Sequence, residues 1–304
     1  MQFSKETAEV YVPDGAGVET AIARTTHMGI SAHQDDLEIM ALDGILACFG
    51  QPDKWYLGVV ATNGAGSPRD GLYGSYTDEQ MRAVRRMEQK KAAFVGEYSG
   101  AVFLNHTSSE VKDPANAAPR ADLKKLISAA RPGVVYTHNL ADKHDTHVSV
   151  ALRTISAIRE LPASERPGKL YGCEVWRSLD WMMDEDKVVF ALDKHENLAM
   201  SLLGIYDSQI VGGKRYDLAT QGRRRANATY HESHAVDVSQ YISFAMDLSP
   251  LIRDETLDVN HYVQQHIQRL ARDVESRLAK FGGLKSVKSA LNSRGVTAPQ
   301  HCWS

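Results

Sequence analysis

The chain has 304 residues, 43% of them hydrophobic and 24% charged, with 35 Lys+Arg against 38 Asp+Glu for a formal net charge of −3. That balance excludes a low-complexity disordered chain and a purely electrostatic nucleic-acid binder. The length allows a sizeable core in one large domain or two ordinary ones. Cys48, Cys173 and Cys302 are far apart and form no CxxC pair, so neither a disulfide framework nor a thiolate zinc site is implied. The N-terminus MQFSKETAEVYVPDG lacks a basic segment followed by an apolar one, and no apolar run approaches the ~18–20 residues that span a bilayer. The expectation is a soluble, cytoplasmic protein with neither membrane nor nucleic acid as partner.

In chain order, Thr26–Ser31 reads as a buried strand, followed by a helix over DLEIMALDGILACFG (Leu37, Met40, Ala41, Ile45 and Leu46 at helical spacing). Trp55–Thr62 is a second strand, followed by a Gly/Pro/Ser/Asp-rich loop to Gly74 without the GxxxxGK[ST] pattern of a phosphate loop. Thr77-x-x-Gln80 forms a capping box for a long helix. Ala101–Asn105 is a third strand, Ala121–Ala130 a helix and Val134–Thr137 a fourth strand; Asp145 or Thr146 caps a helix to about Glu160. Such alternation indicates α/β architecture: a mostly parallel sheet with helices on both faces.

The second half is less regular. Leu170–Trp176 and Lys187–Ala191 read as strands, and Asp193 caps a helix to about Tyr206. Gln221–His234 is rich in Arg and His, and consecutive Arg223, Arg224 and Arg225 read as a solvated helix end. Val259–Phe281 is an amphipathic helical extension, suited to core packing or an oligomer contact. One domain over 1–281 with a basic, Ser/Gly-rich tail at 282–304 is expected.

Two segments carry chemistry. Ser31-Ala32-His33-Gln34-Asp35-Asp36-Leu37-Glu38 follows the first strand, and Thr137-His138-Asn139-Leu140-Ala141-Asp142-Lys143-His144-Asp145-Thr146-His147 follows the fourth. Ligands of open α/β sheets bind beyond the carboxyl ends of the strands. His nitrogen and carboxylate oxygen suit zinc, and a catalytic zinc takes three protein ligands. If both segments contribute to one site, His₂Asp ligation is available, with a carboxylate and a His to spare for proton transfer. Taken alone, Asp-Asp before a helix is an N-terminal cap, and HxxH is a solvated helix start.

HQDDLE resembles the HPDDxE segment of the PIG-L/LmbE-like N-deacetylases, and HDTH resembles their later HxDH segment. Ala61-Thr62-Asn63-Gly64, Arg85-x-x-Glu88, Tyr206-Asp207-Ser208-Gln209 and Tyr230-His231-Glu232 are similar to weaker motifs of that family in the same order. The resemblance implies a Rossmann-like fold and zinc-dependent hydrolysis of an N-acyl group, usually on an amino sugar. Carried over by position, it implies one Zn²⁺ per chain on His33, Asp36 and His147, with Asp35 as general base and His144 stabilising the oxyanion or donating a proton. Such His₂Asp sites also accept other divalent metals.

Gln34 departs from the family proline, and HDTH displaces the family acid by one position. Asp145 or Asp142 is then a candidate to orient a ligand ring, Asp142 as a partner for His144. Arg69, Arg85, Asn139, Arg225 and His234 are candidate substrate contacts. The expected partner is a small N-acetylated amino sugar or glycoside. A metal-dependent phosphoesterase and a non-catalytic sugar-binding protein on the same fold are the alternatives.

Overall fold

The computed structural model describes residues 1–282; the basic tail read from the sequence falls almost wholly outside them. The chain runs β1 (Glu9–Tyr11), α1 (Val18–Ala23), β2 (His27–Ser31), α2 (Asp36–Met40), α3 (Leu42–Cys48), β3 (Tyr56–Thr62), α4 (Asp78–Val95), β4 (Gly100–His106), α5 (Ser108–Lys112), α6 (Ala118–Ala130), β5 (Val134–His138) and α7 (Asp145–Arg159). It continues with β6 (Lys169–Cys173), β7 (Lys187–Ala191), α8 (Glu196–Gly204), α9 (Asp207–Ile210), α10 (Tyr216–Tyr230), β8 (Ile242–Asp247), α11 (Ser249–Arg253) and α12 (Val259–Lys280).

The eight strands form one sheet in the order β1-β4-β3-β2-β5-β6-β8-β7. The five central strands pair in parallel, while β1, β8 and β7 pair antiparallel at the two margins. Central strands are apolar almost throughout because both faces are covered. Residues alternate between two cores: Met28, Ile30, Leu57, Val59, Val102 and Leu104 on one face, Tyr56, Val60, Ala101 and Phe103 on the other. From β2 the chain proceeds to β3 and β4 on one side, then returns to β5 and β6 on the other. The strand order therefore reverses between β2 and β5, and the carboxyl ends of those two strands are where such sheets bind ligands.

Several sequence expectations are corrected. The segment after β2 forms two helices, broken at Ala41 (φ −112°, ψ 23°). The cause is Arg224 of α10, which donates to the carbonyls of Glu38 and Ile39 at 2.8 and 2.9 Å. A continuous helix would direct those carbonyls at the amides of Leu42 and Asp43. Arg224 is not on a solvated helix end: Thr220, Arg224, Asn227 and Ala228 form the buried face of α10. Asp193 does not cap α8; it accepts from the Ser239 hydroxyl and, at 2.7 Å, from the Gln240 amide, and His195 stands at the cap. Strands β1 and β8 lie outside the sequence expectations. Helix α12 is formed as expected but buries no residue fully; Val259, Tyr262 and Val263 pack partly against the core. Among the described residues, no helix is long and apolar enough to cross a membrane.

Candidate metal centre and its pocket

The loop after β2 and the loop after β5 meet at the reversal point. His33 Nδ1 lies 3.2 Å from Asp36 Oδ2 and 3.2 Å from His147 Nε2, and the last two atoms are 3.4 Å apart. Ligands at about 2.0–2.1 Å from a tetrahedral zinc are separated by roughly 3.3–3.4 Å along each edge. The three atoms therefore have the spacing of one tetrahedral face, and the donor set fits such an ion. Burial pushes the Asp36 carboxyl up, but His147, His138 and His33 outweigh it and hold the group well below the carboxylate range. Burial lowers His33 to about 4 despite Asp36 beside it. Both groups thus favour the deprotonated forms that bind metals.

Asp36 and His147 are each fixed from behind. Asp36 Oδ2 accepts from the His33 amide at 2.7 Å, which closes the loop onto itself. His147 turns its Nδ1 towards Asp142 Oδ2 at 3.4 Å. The Asp142 carboxylate also accepts from the amides of His144 and Trp176 at 3.1 Å each. Asp142 therefore faces the ring of His147, not that of His144 as the sequence suggested; for His144 it holds only the backbone. Asp145 is exposed in the first turn of α7 and orients no ligand.

His138, Asp142 and His147 form a second compact group, in which His138 Nδ1 is buried without a hydrogen-bond partner among the described residues. His138 Nε2 accepts from the Ala32 amide at 2.9 Å, and its ring stacks on His147 with centroids 3.9 Å apart. His138 is thus a wall beneath His147.

Asp35 is buried at the start of α2 with φ 89°, a conformation that favours glycine. A non-glycine residue there costs about 1–3 kcal/mol and persists only where its surroundings enforce it. Arg85 of α4 is the enforcing group. It donates to the Gln34 carbonyl at 2.7 Å and to the Gly64 carbonyl at 3.2 Å, and lies 3.6 Å from Asp35 Oδ1. Gly64 is required where it stands: φ is +72°, and a Cβ would sit 2.3 Å from Gln34 Oε1. Burial drives the Asp35 carboxyl well above its ordinary range, Arg85 opposes this, and Asp36, Glu38 and Glu88 add to it. Beneath, the Glu38 carboxylate accepts from Gln89, Tyr98 and Tyr206 at 2.9, 2.7 and 2.7 Å, which ties α2 to α4, to the turn before β4 and to the start of α9.

These groups open into a cavity of about 500 Å³ whose lining includes His33, Asp35, Asp36, Arg85, His144 and Gln209. His144 is half-buried, with its ring edge-on to His33 and stacked with Trp176, which meets Tyr216 edge-on. Burial and the neighbouring His147 lower the His144 pKa. Of the five candidate substrate contacts, only Arg85 lines this cavity. Arg69 is spent inside its own loop on the Tyr76 and Ala65 carbonyls and on Asp78. Asn139 is fully buried and donates to the Cys173 carbonyl at 3.0 Å. Arg225 pairs with Glu196 at the surface, and His234 is exposed beyond the end of α10. Trp176 and Tyr216 were missed by the sequence reading, although Trp176 closes an expected strand at the ligand-binding edge.

The model of the PIG-L family, described as GlcNAc-PI de-N-acetylase, matches residues 28–158. The matched stretch contains both the His33–Asp36 segment and the His144–His147 segment. Among solved structures, the fold is similar to N,N'-diacetylchitobiose deacetylase from Pyrococcus horikoshii, with TM-score 0.59, 16% identity, and 78% of this chain and 88% of that one covered. It is also similar to the A40926 pseudoaglycone deacetylase, with TM-score 0.54, 17% identity, and 74% and 97% covered. A third is the 4-carboxy-2-hydroxymuconate hydratase of Pseudomonas putida KT2440, with TM-score 0.53, 14% identity, and 74% and 95% covered. At these identities the likeness is one of fold, and the hydratase shows that the fold serves more than one reaction. No curated protein matches the chain.

Proposed function

We propose that this protein is a metal-dependent hydrolase that removes an N-acetyl group from an amino sugar or a small N-acetylglucosamine-type glycoside. The carrying observation is the tetrahedral-face spacing of His33, Asp36 and His147, with the strained, buried carboxylate of Asp35 beside it. The de-N-acetylase description of the matched family supports the reaction class. We take residues 1–281 as one catalytic unit acting on a soluble, cytoplasmic substrate.

His33, Asp36 and His147 hold the ion. When bound, one zinc or similar divalent cation supplies Lewis acidity that makes water nucleophilic near neutral pH and polarises the acyl carbonyl. Asp35 accepts the proton of the attacking water. Its buried setting, which favours the protonated form, lets it retain that proton and pass it to the departing amine. Arg85 fixes the Asp35 loop through the Gln34 and Gly64 carbonyls. His144 faces the cavity from the opposite loop and donates a hydrogen bond to the oxyanion.

The phosphoesterase alternative calls for a second metal, and in the second group both Asp142 oxygens already accept from the His144 and Trp176 amides, which leaves His138 Nδ1 as its one nitrogen without a hydrogen bond.

The test is metal content together with acetate release from a panel of N-acetylhexosamines and short glycosides, for the wild type and Asp35→Asn. The expected result is one metal per chain, acetate release, and a kcat lowered by about 10²–10⁴-fold in the variant with metal retained. Phosphate-ester cleavage without acetate release, or full turnover by Asp35→Asn, would overturn the reading.

A further inference from the structure

A second cavity of about 420 Å³ adjoins the first, sharing Ile39, Val175, Trp176, Lys214 and Tyr216 with it. Its remaining charged lining residues are Lys143, Arg215 and Arg223, and no carboxylate lines it. Arg215 is paired with Asp217, and Arg223 gives one amino group to the Val175 carbonyl. Lys143 and Lys214 make no ion pair among the described residues, and Lys214 Nζ stands 5.3 Å from the Trp176 ring centroid. In a chain of net charge −3, this is a concentrated positive annex one aromatic residue away from His144. Lys143 stands before α7, Lys214 before α10 and Arg223 on α10, and an aromatic partition separates them from the metal trio.

Building on the deacetylase reading, we propose that the substrate is an N-acylated amino sugar bearing an oxyanion, phosphate or carboxylate. The acyl amide sits at the metal trio, the sugar lies against Trp176 and Tyr216, and the oxyanion is held by Lys143, Lys214 and Arg223. An anion so placed gains charge-assisted hydrogen bonds that a neutral sugar lacks, and field lines in a cleft of one sign raise its capture rate. The annex therefore selects among substrates without touching the reacting atoms.

The test compares acetate release from N-acetylglucosamine, its 1-phosphate and a glycoside carrying a carboxylate, for the wild type, Lys143→Glu, Lys214→Glu, Lys143→Arg and Lys112→Glu. Lys112 lines the main cavity but not the annex, so its reversal measures the general field. The expected result is a kcat/KM about tenfold or more higher for one or both anionic substrates, about the worth of one charged hydrogen bond. That ratio should fall sharply in the two annex reversals, survive in Lys143→Arg, fall less in Lys112→Glu, and decline with added salt. Which anion is preferred tells phosphate from carboxylate recognition. Equal kcat/KM for neutral and anionic substrates, or an equal effect of Lys112→Glu, overturns the annex and leaves the deacetylase standing. If no substrate releases acetate, titration calorimetry with the 1-phosphate decides. Binding that Lys143→Glu and Lys214→Glu abolish supports the annex and sinks the deacetylase, whereas binding that they leave intact overturns the annex.

Discussion

His147 works from both ring nitrogens. Nε2 faces the proposed ion and Nδ1 faces Asp142, whose two oxygens also take the His144 and Trp176 amides. One carboxylate thus sets the ring of a ligand, the start of α7 and the backbone that presents Trp176. Removing it should loosen the ligand more than the fold. Asp142→Ala is expected to weaken metal binding about 10–100-fold, as loss of such a partner does, and Asp142→Asn to weaken it less. Competition with a chromophoric chelator measures this, and unchanged affinity in Asp142→Ala would remove Asp142 from the site. Away from the site, Asp122 of α6 accepts from His106 at 3.0 Å and from the Ser4 amide and hydroxyl at 2.9 Å each. Burial raises the Asp122 carboxyl, but those donors outweigh it and leave it below its ordinary value. The sign follows: an acid depressed in the folded state contributes stability above its unfolded pKa of about 3.9 and loses it as pH falls through the folded value. Asp122→Ala should therefore cost about 1–3 kcal/mol near neutral pH by orphaning His106, and the gap from wild type should close below about pH 4. Denaturant unfolding across pH reads it; a gap that widened in acid would contradict the assignment.

At the scale of elements, the site depends on α2 stopping early. The sequence from Asp36 to Phe49 has continuous helical spacing, and nothing local marks a break at Ala41. The break is imposed from α10, some 180 residues away in sequence, by the Arg224 guanidinium on the last carbonyls of α2. Three consecutive arginines obscured it; only the face shared by Thr220, Arg224, Asn227 and Ala228 distinguishes the buried one. Arg224→Met keeps much of the volume and frees two carbonyls, at about 1–3 kcal/mol for each left unsatisfied. It also removes a fully buried cation, which offsets part of that cost. With the clamp gone, α2 can run on into α3 and carry Asp36 with it. The expected outcome is a metal affinity lowered at least tenfold with a much smaller change in unfolding stability. A large loss of Tm at unchanged metal affinity would show that Arg224 serves the fold alone.

For the whole molecule, the legible parts were those fixed by local pattern. The capping box at Thr77 and Gln80 forms as read, and β2, β3, β4 and β5 fall within a residue of their expected bounds because near-continuous apolar runs between turns permit little else, whereas β6 ends at Cys173, three residues before the expected Trp176. That His33, Asp36 and His147 come close together was legible because their two segments both follow buried strands at the carboxyl edge of the sheet. The places of Arg69, Asn139, Arg225 and His234 were not, since exposure and rotamer decide whether a polar residue reaches a cavity, and spacing carries neither. Strand β8 was missed because it gains its place only by pairing antiparallel between β6 and β7. The same distinction between central and peripheral packing should govern local stability. The central strands are buried on both faces, whereas α12 buries nothing fully, and C-terminal to Arg269 its side chains make one hydrogen bond among the described residues, Arg277 to Asp273 within the helix. Hydrogen exchange should therefore find the amides of β2, β3 and β5 slowest and those of Arg272–Lys280 among the fastest of any helix. The two metal loops lie between these limits, and a bound ion would tie them together at the sheet's reversal point. Adding a divalent metal should slow exchange around residues 31–37 and 142–148 and leave Arg272–Lys280 unchanged, because the ion would link the loops after β2 and β5 and α12 supplies none of the three donors. Slowing spread evenly over the chain would mean that the ion stabilises the fold as a whole, and no slowing in either loop would mean that the trio of His33, Asp36 and His147 does not bind it.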